Sequence, residues 1–179
     1  HGVSEAIYLD DPDGHGIEIY VDRPSDVWPK DKGNITMFTK SLDFISLMST
    51  LEVDKGDYQI DPMMIMGHLH LHVAHLKDAK HFFVDALGFQ LVMHYGQSAM
   101  FISDEGYHHH IGLNTWQGDA QLTLEKQVGL KSYVLSIPKA QYPALMRRLT
   151  DHHVTVIKDQ ETIYILDPLN QKIILSIKE

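Results

Sequence analysis

Two stretches of this chain, 156 positions apart, spell the same local structure. Ala6-Ile7-Tyr8-Leu9-Asp10-Asp11-Pro12-Asp13-Gly14-His15-Gly16-Ile17-Glu18 runs alongside Thr162-Ile163-Tyr164-Ile165-Leu166-Asp167-Pro168-Leu169-Asn170-Gln171-Lys172-Ile173-Ile174. Each reads as strand, Asp-Pro turn, strand. Proline presets φ at the second turn position, and Gly14 and Asn170 tolerate the positive φ such a turn demands. A second repetition has a period of 64 residues. A strand over 68–73, a helix over 76–87, Gly88 as its stop and a strand over 89–92 are echoed by a strand over 131–137, a helix over about 140–150 and a strand over 153–157. Leu76, Ala79, Phe83 and Leu87 fall at helical spacing in the first helix, and Leu145, Met146 and Leu149 in the second, with Pro138 and Pro143 near its start.

Further strands follow in each unit, 98–102 and 108–114 in the first, 162–166 and 172–177 in the second. The expected class is α+β: two consecutive βαβββ modules, 65–127 and 128–179, that make one complete domain with a mixed sheet curved around a cleft. Residues 1–24 match only the last two strands of such a module. Residues 25–64 read as a connector carrying Pro29 and Gly33, one helix bearing Phe38, Leu42, Ile45, Leu47 and Met48, and a polar loop around Asp54, Lys55, Gly56 and Asp57.

The formal charge of −9, from 15 Lys and Arg against 24 Asp and Glu, argues against nucleic acid or an anionic membrane as partner. No apolar run reaches membrane-spanning length, and no charged and apolar leader opens these residues. With no cysteine there is neither a disulfide framework nor thiolate chemistry, which fits a cytoplasmic setting. Thirteen histidines are many for 179 residues, and imidazole is both the commonest metal ligand and a general base near neutral pH.

Side chains alternate across a strand, so the opening hairpin puts Ile7, Leu9, Ile17, Ile19 and Val21 on one face, to pack under a helix, and Tyr8, Glu18 and Tyr20 on the other. A register that pairs residue 8 with residue 18 sets the Tyr8 phenol beside the Glu18 carboxylate. Two His and one carboxylate on one face make the ligand set of Fe(II) oxygenases, and Glu18 has the chemistry of that carboxylate. Tyr8 can hydrogen-bond or deprotonate a phenolic oxygen, and His1 can shuttle a proton. Asp10, Asp11 and Asp13 lack the ligand spacing of a calcium loop and read as turn chemistry.

The spacing His1-x5-Ile7-Tyr8-x2-Asp11-Pro12-x-Gly14-x3-Glu18 resembles the signature of extradiol ring-cleavage dioxygenases. These belong to the vicinal oxygen chelate superfamily, together with glyoxalase I and bleomycin-resistance proteins, and the paired βαβββ units resemble that superfamily's building block. Ile17-Glu18-Ile19-Tyr20, Asp22-Arg23-Pro24 and Gly106-Tyr107-His108-His109-His110-Ile111-Gly112 resemble its two-domain, catechol-2,3-dioxygenase-like branch. The resemblance implies Fe(II)-dependent insertion of both atoms of O2 beside the vicinal diol of an aromatic ring, Mn(II) or another divalent ion being the alternative metal. It makes Glu18 the metal ligand and His1 and Tyr8 the catalytic groups around it. The family's two His ligands stand on first strands of two earlier modules. The chain therefore reads as an amino-terminally truncated portion whose own 179 residues are inactive. In the repeat, Glu18 maps onto Ile174 and His1 onto Ile157; Tyr8 alone keeps its type, at Tyr164. His68 stands at a ligand position and its partner Ser132 does not, so the carboxy-terminal domain reads as a degenerate, structural copy.

His68, His70 and His72 share one face of a strand, and His108, His109 and His110 fall on another strand of the same module. They read as the lining of a concave face, with a Zn or Ni site between His68 or His70 and His109 as the sharper reading. His152 and His153 read as exposed, and Trp28 and Trp116 as packing or interface residues. The alternative to the enzyme is a binding module of the bleomycin-resistance type, holding a small aromatic or hydrophobic ligand between its modules. An isolated hairpin with open edges predicts association, most simply a homodimer.

Overall fold

The computed structural model describes residues 1–51, 59–118 and 128–178. They fall into two compact units, His1–Gly67 and His68–Glu179. In the first, β1 (Ser4–Asp10) and β2 (Gly16–Asp22) pair antiparallel with Tyr8 opposite Glu18 and Ile7 opposite Ile19. Among the described residues these two strands form a sheet of their own. A 3-10 turn (Ser25–Val27), two short strands, β3 (Lys30–Asp31) and β4 (Asn34–Ile35), and helix α1 (Phe44–Ser49) follow. The expected connector helix is thus a short six-residue helix beginning after Asp43, whose carboxylate caps it by accepting the Ser46 N–H at 2.9 Å. Phe38 and Leu42 lie before it. The polar loop at 54–57 lies outside the described residues.

Part of that connector holds the start of the chain. The Gly2 N–H donates to Phe38 O at 3.0 Å, and a Cβ at Gly2 would stand 2.8 Å from Pro29 and 2.9 Å from Phe38. The Arg23 N–H donates to Val3 O at 2.9 Å, and buried Trp28 donates its indole N–H to Arg23 O at 2.8 Å. The hairpin face bearing Ile7, Leu9, Ile17, Ile19 and Val21, expected to pack under a helix, is 41–65 % exposed among the described residues.

The second unit contains the two βαβββ modules. The first runs β5 (Leu69–His72), α2 (Leu76–Lys80), β6 (Gln90–Tyr95), β7 (Ala99–Ser103) and β8 (Ile111–Asn114); the second runs β9 (Ser132–Pro138), α3 (Tyr142–Asp151), β10 (Ile157–Asp159), β11 (Thr162–Leu166) and β12 (Lys172–Lys178). Their four-stranded sheets have the same order, β5-β8-β7-β6 and β9-β12-β11-β10, each with its first strand parallel to its last and the other pairs antiparallel. This is the paired βαβββ, α+β arrangement that the repeats predict. One apolar core serves both modules: Phe83, Met100, Ile102 and Leu113 from the first pack with Leu145, Leu149, Ile165 and Ile173 from the second.

Three local expectations are corrected. The helix predicted over 76–87 is α-helical only to Lys80 and continues as a π-helical turn, His81–Ala86, whose wider spacing buries Phe82, Phe83 and Ala86 together. The strand predicted from His153 begins at Ile157. His153 is left-handed (φ +57°), and the Val154 N–H still closes onto Leu149 O as the end of α3. His108, His109 and His110 precede β8 instead of lying in it.

The long repeat is reproduced bond for bond. The Asp11 N–H donates to His15 O and Gly14 N–H to Asp11 O; Asp167 N–H donates to Gln171 O and Asn170 N–H to Asp167 O. Each aspartate carboxylate also accepts two backbone N–H groups, Asp13 and His15 on Asp11, Leu169 and Gln171 on Asp167. Gly14 and Asn170 both take positive φ, +81° and +64°, as the turn requires. Across the strands Tyr8 faces Glu18, and Tyr164 faces Ile174.

Candidate functional site

The hairpin register places the three signature side chains together. His1 Nε2 meets the Tyr8 hydroxyl, and the Tyr8 hydroxyl donates to Glu18 Oε1 at 2.6 Å. His1 Nε2 lies 3.7 Å from that same carboxylate oxygen, and the His1 and Tyr8 rings meet edge to face at 88°. The phenol has one proton and spends it on Glu18, so His1 Nε2 is the donor to the Tyr8 oxygen, which fixes the imidazole tautomer. The result is a directed chain from His1 through Tyr8 to Glu18. His1 Nδ1, on the far side of the ring, lies 3.5 Å from Thr39 Oγ1. Thr39 and the Gly2–Phe38 bond that positions His1 carry no motif, and sequence reasoning missed both.

Burial of the Tyr8 hydroxyl raises its pKa above the ordinary phenol value, with the hydrogen bond to Glu18 and that carboxylate's negative charge adding to the effect. The ring as a whole is 61 % exposed; it is the hydroxyl end that is enclosed by its two partners. Tyr8 therefore keeps its proton at neutral pH and donates it to Glu18.

An iron site of the two-His-one-carboxylate kind needs three donors on one face. At this corner the described residues of the unit bring together one carboxylate, Glu18, and one imidazole, His1, whose Nε2 is spent on Tyr8. They do not by themselves fit a divalent ion. Asp11, Asp13 and His15 also have polar atoms within 4.8 Å of one another. Asp11 is occupied in closing the turn, and the backbone N–H of His15 is the first cause holding its pKa below the usual carboxylate value. Its repeat, Asp167, closes the same turn in the same way, which supports the reading as turn chemistry.

In the second unit the histidines converge. The rings of His68 and His109 are 4.2 Å apart, His68 and His70 5.1 Å, and His70 and His109 5.5 Å. Ligand atoms of these three lie within 4.8 Å of one another. His109 is buried, its Nδ1 2.8 Å from Nδ1 of His108. Its pKa is pushed down to about 2, first by burial and then by the neighbouring His68, His108 and His70, so the ring is neutral. His110 turns away to Ser103 Oγ at 3.0 Å and the Asp104 N–H at 3.1 Å. His72 is exposed on β5 outside the cluster; His153 is exposed as expected, whereas His152 is half-buried and meets the His81 ring edge to face at 4.9 Å. Trp28 is buried and Trp116 exposed. A cavity of about 250 Å³ lies beside the Asp167 turn, lined by Val73, His75, Asp78 and Pro168.

No protein-family model matches the chain. It is 41 % identical over 174 residues to a catechol-2,3-dioxygenase of Bacillus subtilis (strain 168); the match takes in 95 % of this chain and 61 % of that protein's length. Among solved structures, an integron cassette protein of V. cholerae superposes with a TM-score of 0.51 at 17 % identity, over 68 % of this chain and all of that one, a likeness of fold. A lactoylglutathione lyase of Agrobacterium tumefaciens gives 0.48 at 18 % identity, over 65 % of this chain and 94 % of that one. Among the described residues no helix is long and apolar enough to cross a membrane.

Proposed function

We propose that this chain is a member of the vicinal oxygen chelate superfamily and part of a cytoplasmic, Fe(II)-dependent extradiol dioxygenase that opens catechol-type rings with O2. The observation that carries the proposal is the directed contact chain from His1 through Tyr8 to Glu18. The 41 % identity to a catechol-2,3-dioxygenase supports it. On this reading Glu18 is the single carboxylate ligand, for Fe(II) or for Mn(II) or another divalent ion. Two histidine ligands come from sequence outside these residues, and the 179 residues alone are inactive. Residues 1–24 then belong to the metal-binding domain, 25–64 connect it to the next, and 65–179 form the degenerate pair of modules.

The chain's own residues supply acid–base chemistry and alignment. Tyr8 keeps its proton and aims it at Glu18 Oε1, which fixes the rotation of the carboxylate. A protonated His1 can pass its Nε2 proton to the Tyr8 oxygen as Tyr8 passes its own to Glu18. One proton then moves from imidazolium to carboxylate and no atom is left over. The reverse movement returns it. A phenolic substrate oxygen entering this corner meets the Tyr8 hydroxyl oxygen, whose own proton is held toward Glu18, and the His1 imidazole, which can take up or return a proton.

The test uses a protein extended to the length of the B. subtilis relative and loaded with Fe(II). Ring-opened product and oxygen uptake are expected with a catechol. Glu18→Gln should lose both turnover and bound iron, measured by metal analysis, and the 179 residues alone should show no turnover. Ring cleavage by the short chain would overturn the incomplete-site reading, and an iron-loaded, active Glu18→Gln protein would overturn the ligand assignment.

A homodimer belongs to the same proposal. The exposed apolar face of β1 and β2 is the kind of surface that a second copy covers. Light scattering on the chain is expected to give about twice 20.4 kDa; a monomer with the hairpin intact counts against it.

A further inference from the structure

We propose that His68, His70 and His109 hold one divalent transition-metal ion of the zinc class, with His108 orienting His109. The site lies in the second unit, where the counterpart of Glu18 is Ile174, so it is separate from the corner around Tyr8 and stands or falls independently of the dioxygenase reading.

Local structure brings the rings together. His68 and His70 are two apart along β5 and its approach, so both project to one face, while Leu71 projects to the other and is buried in the core. His70 pairs across the parallel ladder with Gly112 of β8. A Cβ at Gly112 would lie 2.7 Å from the His70 ring, so the glycine is what lets that imidazole lie over β8. Phe101, the other ladder neighbour of Gly112, closes the wall, edge to face with His109 at 4.8 Å.

His109 supplies the observation that points to a ligand. It is 6 % exposed, its Nδ1 is engaged by His108, and its Nε2 is buried with no hydrogen-bond partner. A buried imidazole nitrogen left unpaired is costly, and native structures rarely keep one without a use. Metal-bound histidines characteristically have the other ring nitrogen fixed by a second group, which is the part His108 plays here. Zn–N bonds of 2.0–2.1 Å in a tetrahedron hold nitrogens about 3.4 Å apart, so atoms within 4.8 Å close onto an ion by ring rotation, without backbone movement.

The donor set selects the metal. Three imidazole donors, with no carboxylate or thiolate joining them among the described residues, suit Zn(II), Ni(II), Cu(II) or Co(II), and not the oxygen-seeking Mg(II) or Ca(II). Three protein ligands, one of them the exposed His70, leave a fourth position to water or a small anion.

Co(II) titration of the chelator-stripped chain is the direct experiment. One equivalent with the visible absorption of a tetrahedral ion, displaced by Zn(II), is expected. His70→Ala, at an exposed position, should weaken binding at least tenfold, about the lower end of what even supporting groups contribute. His72→Ala, on the same strand face outside the cluster, should leave it unchanged. In wild type, Zn(II) should shift the ring resonances of His68, His70 and His109 and spare His72, a measurement that needs no variant to fold. Absence of the tetrahedral spectrum, equal affinity in His70→Ala, or Zn(II)-induced shifts confined to other histidines would overturn the proposal.

Discussion

Tyr8→Phe in the extended, iron-loaded protein is expected to lower kcat for ring cleavage by about 10²–10⁴-fold, the usual contribution of a positioned acid–base group. The substitution removes one oxygen and no packing volume from a ring that is 61 % exposed, so the hairpin should keep its register. What it removes is the junction of the contact chain. Glu18 Oε1 loses its 2.6 Å donor and His1 Nε2 loses its acceptor. The effect should fall on kcat rather than KM, since the proposed proton relay acts on the reacting oxygens. His1→Ala should cost a similar factor, and the double variant little more than either, because the two groups act as one unit. The raised Tyr8 pKa adds a pH signature. The phenol holds its proton well beyond neutral pH, so no limb of the wild-type profile near pH 7 should belong to Tyr8, and Tyr8→Phe should lower the whole profile without moving its flanks. Steady-state oxygen uptake against pH checks all of this. Unchanged kcat would remove Tyr8 from the chemistry.

Much of this corner was legible in advance because strands impose a period of two. Once the Asp-Pro turn is placed, the residues on either side are counted outward, and Tyr8 must face Glu18; the register agrees at all seven paired positions from Ser4 with Asp22 to Asp10 with Gly16. The same counting places Tyr164 opposite Ile174 and shows why the repeat cannot take over the carboxylate role. The βαβββ order was legible for a related reason, since helical and strand periodicities alternate cleanly from His68 onward. What sequence could not give was set by non-local packing. The switch to a π-turn at His81 depends on where the core lies for Phe82 and Phe83. The placement of the His70 ring over β8 depends on Gly112, a residue that matters by having no side chain. The anchoring of His1 depends on a backbone bond to Phe38, 36 residues away from its partner Gly2, which leaves no trace in residue type.

Asp167→Ala is expected to destabilise the second unit by about 3 kcal/mol, because it strips the acceptor from two backbone N–H groups, Leu169 and Gln171, at a site where the carboxylate is buried. Asp11→Ala removes the same two bonds from the sister turn at the surface, where water replaces them, and should cost less. The conservative change separates hydrogen bonding from charge. Asp167→Asn keeps Oδ1 as acceptor for both N–H groups and discards the buried negative charge. That charge is a burden here: burial raises the Asp167 pKa more than the N–H groups of Gln171 and Leu169 lower it, whereas at Asp11 the balance tips the other way. The sign follows from linkage. A carboxyl that keeps its proton to higher pH in the folded state than in the unfolded chain adds stability below the ordinary aspartate value of about 3.9, and that stability is lost as pH rises through the raised folded value. Burial first, and then the charge of Asp167, raises the pKa of Tyr133, whose hydroxyl has no hydrogen-bond partner, so the aspartate's charge is felt by a second group in the same core. Urea unfolding from about pH 4 to about pH 7 should therefore show Asp167→Asn at least as stable as wild type at the upper end, with the pH slope of that window reduced. A slope unchanged by Asp167→Asn would mean that the aspartate is not the titrating group, and an alanine variant as stable as wild type would mean that its two backbone bonds do not hold the turn.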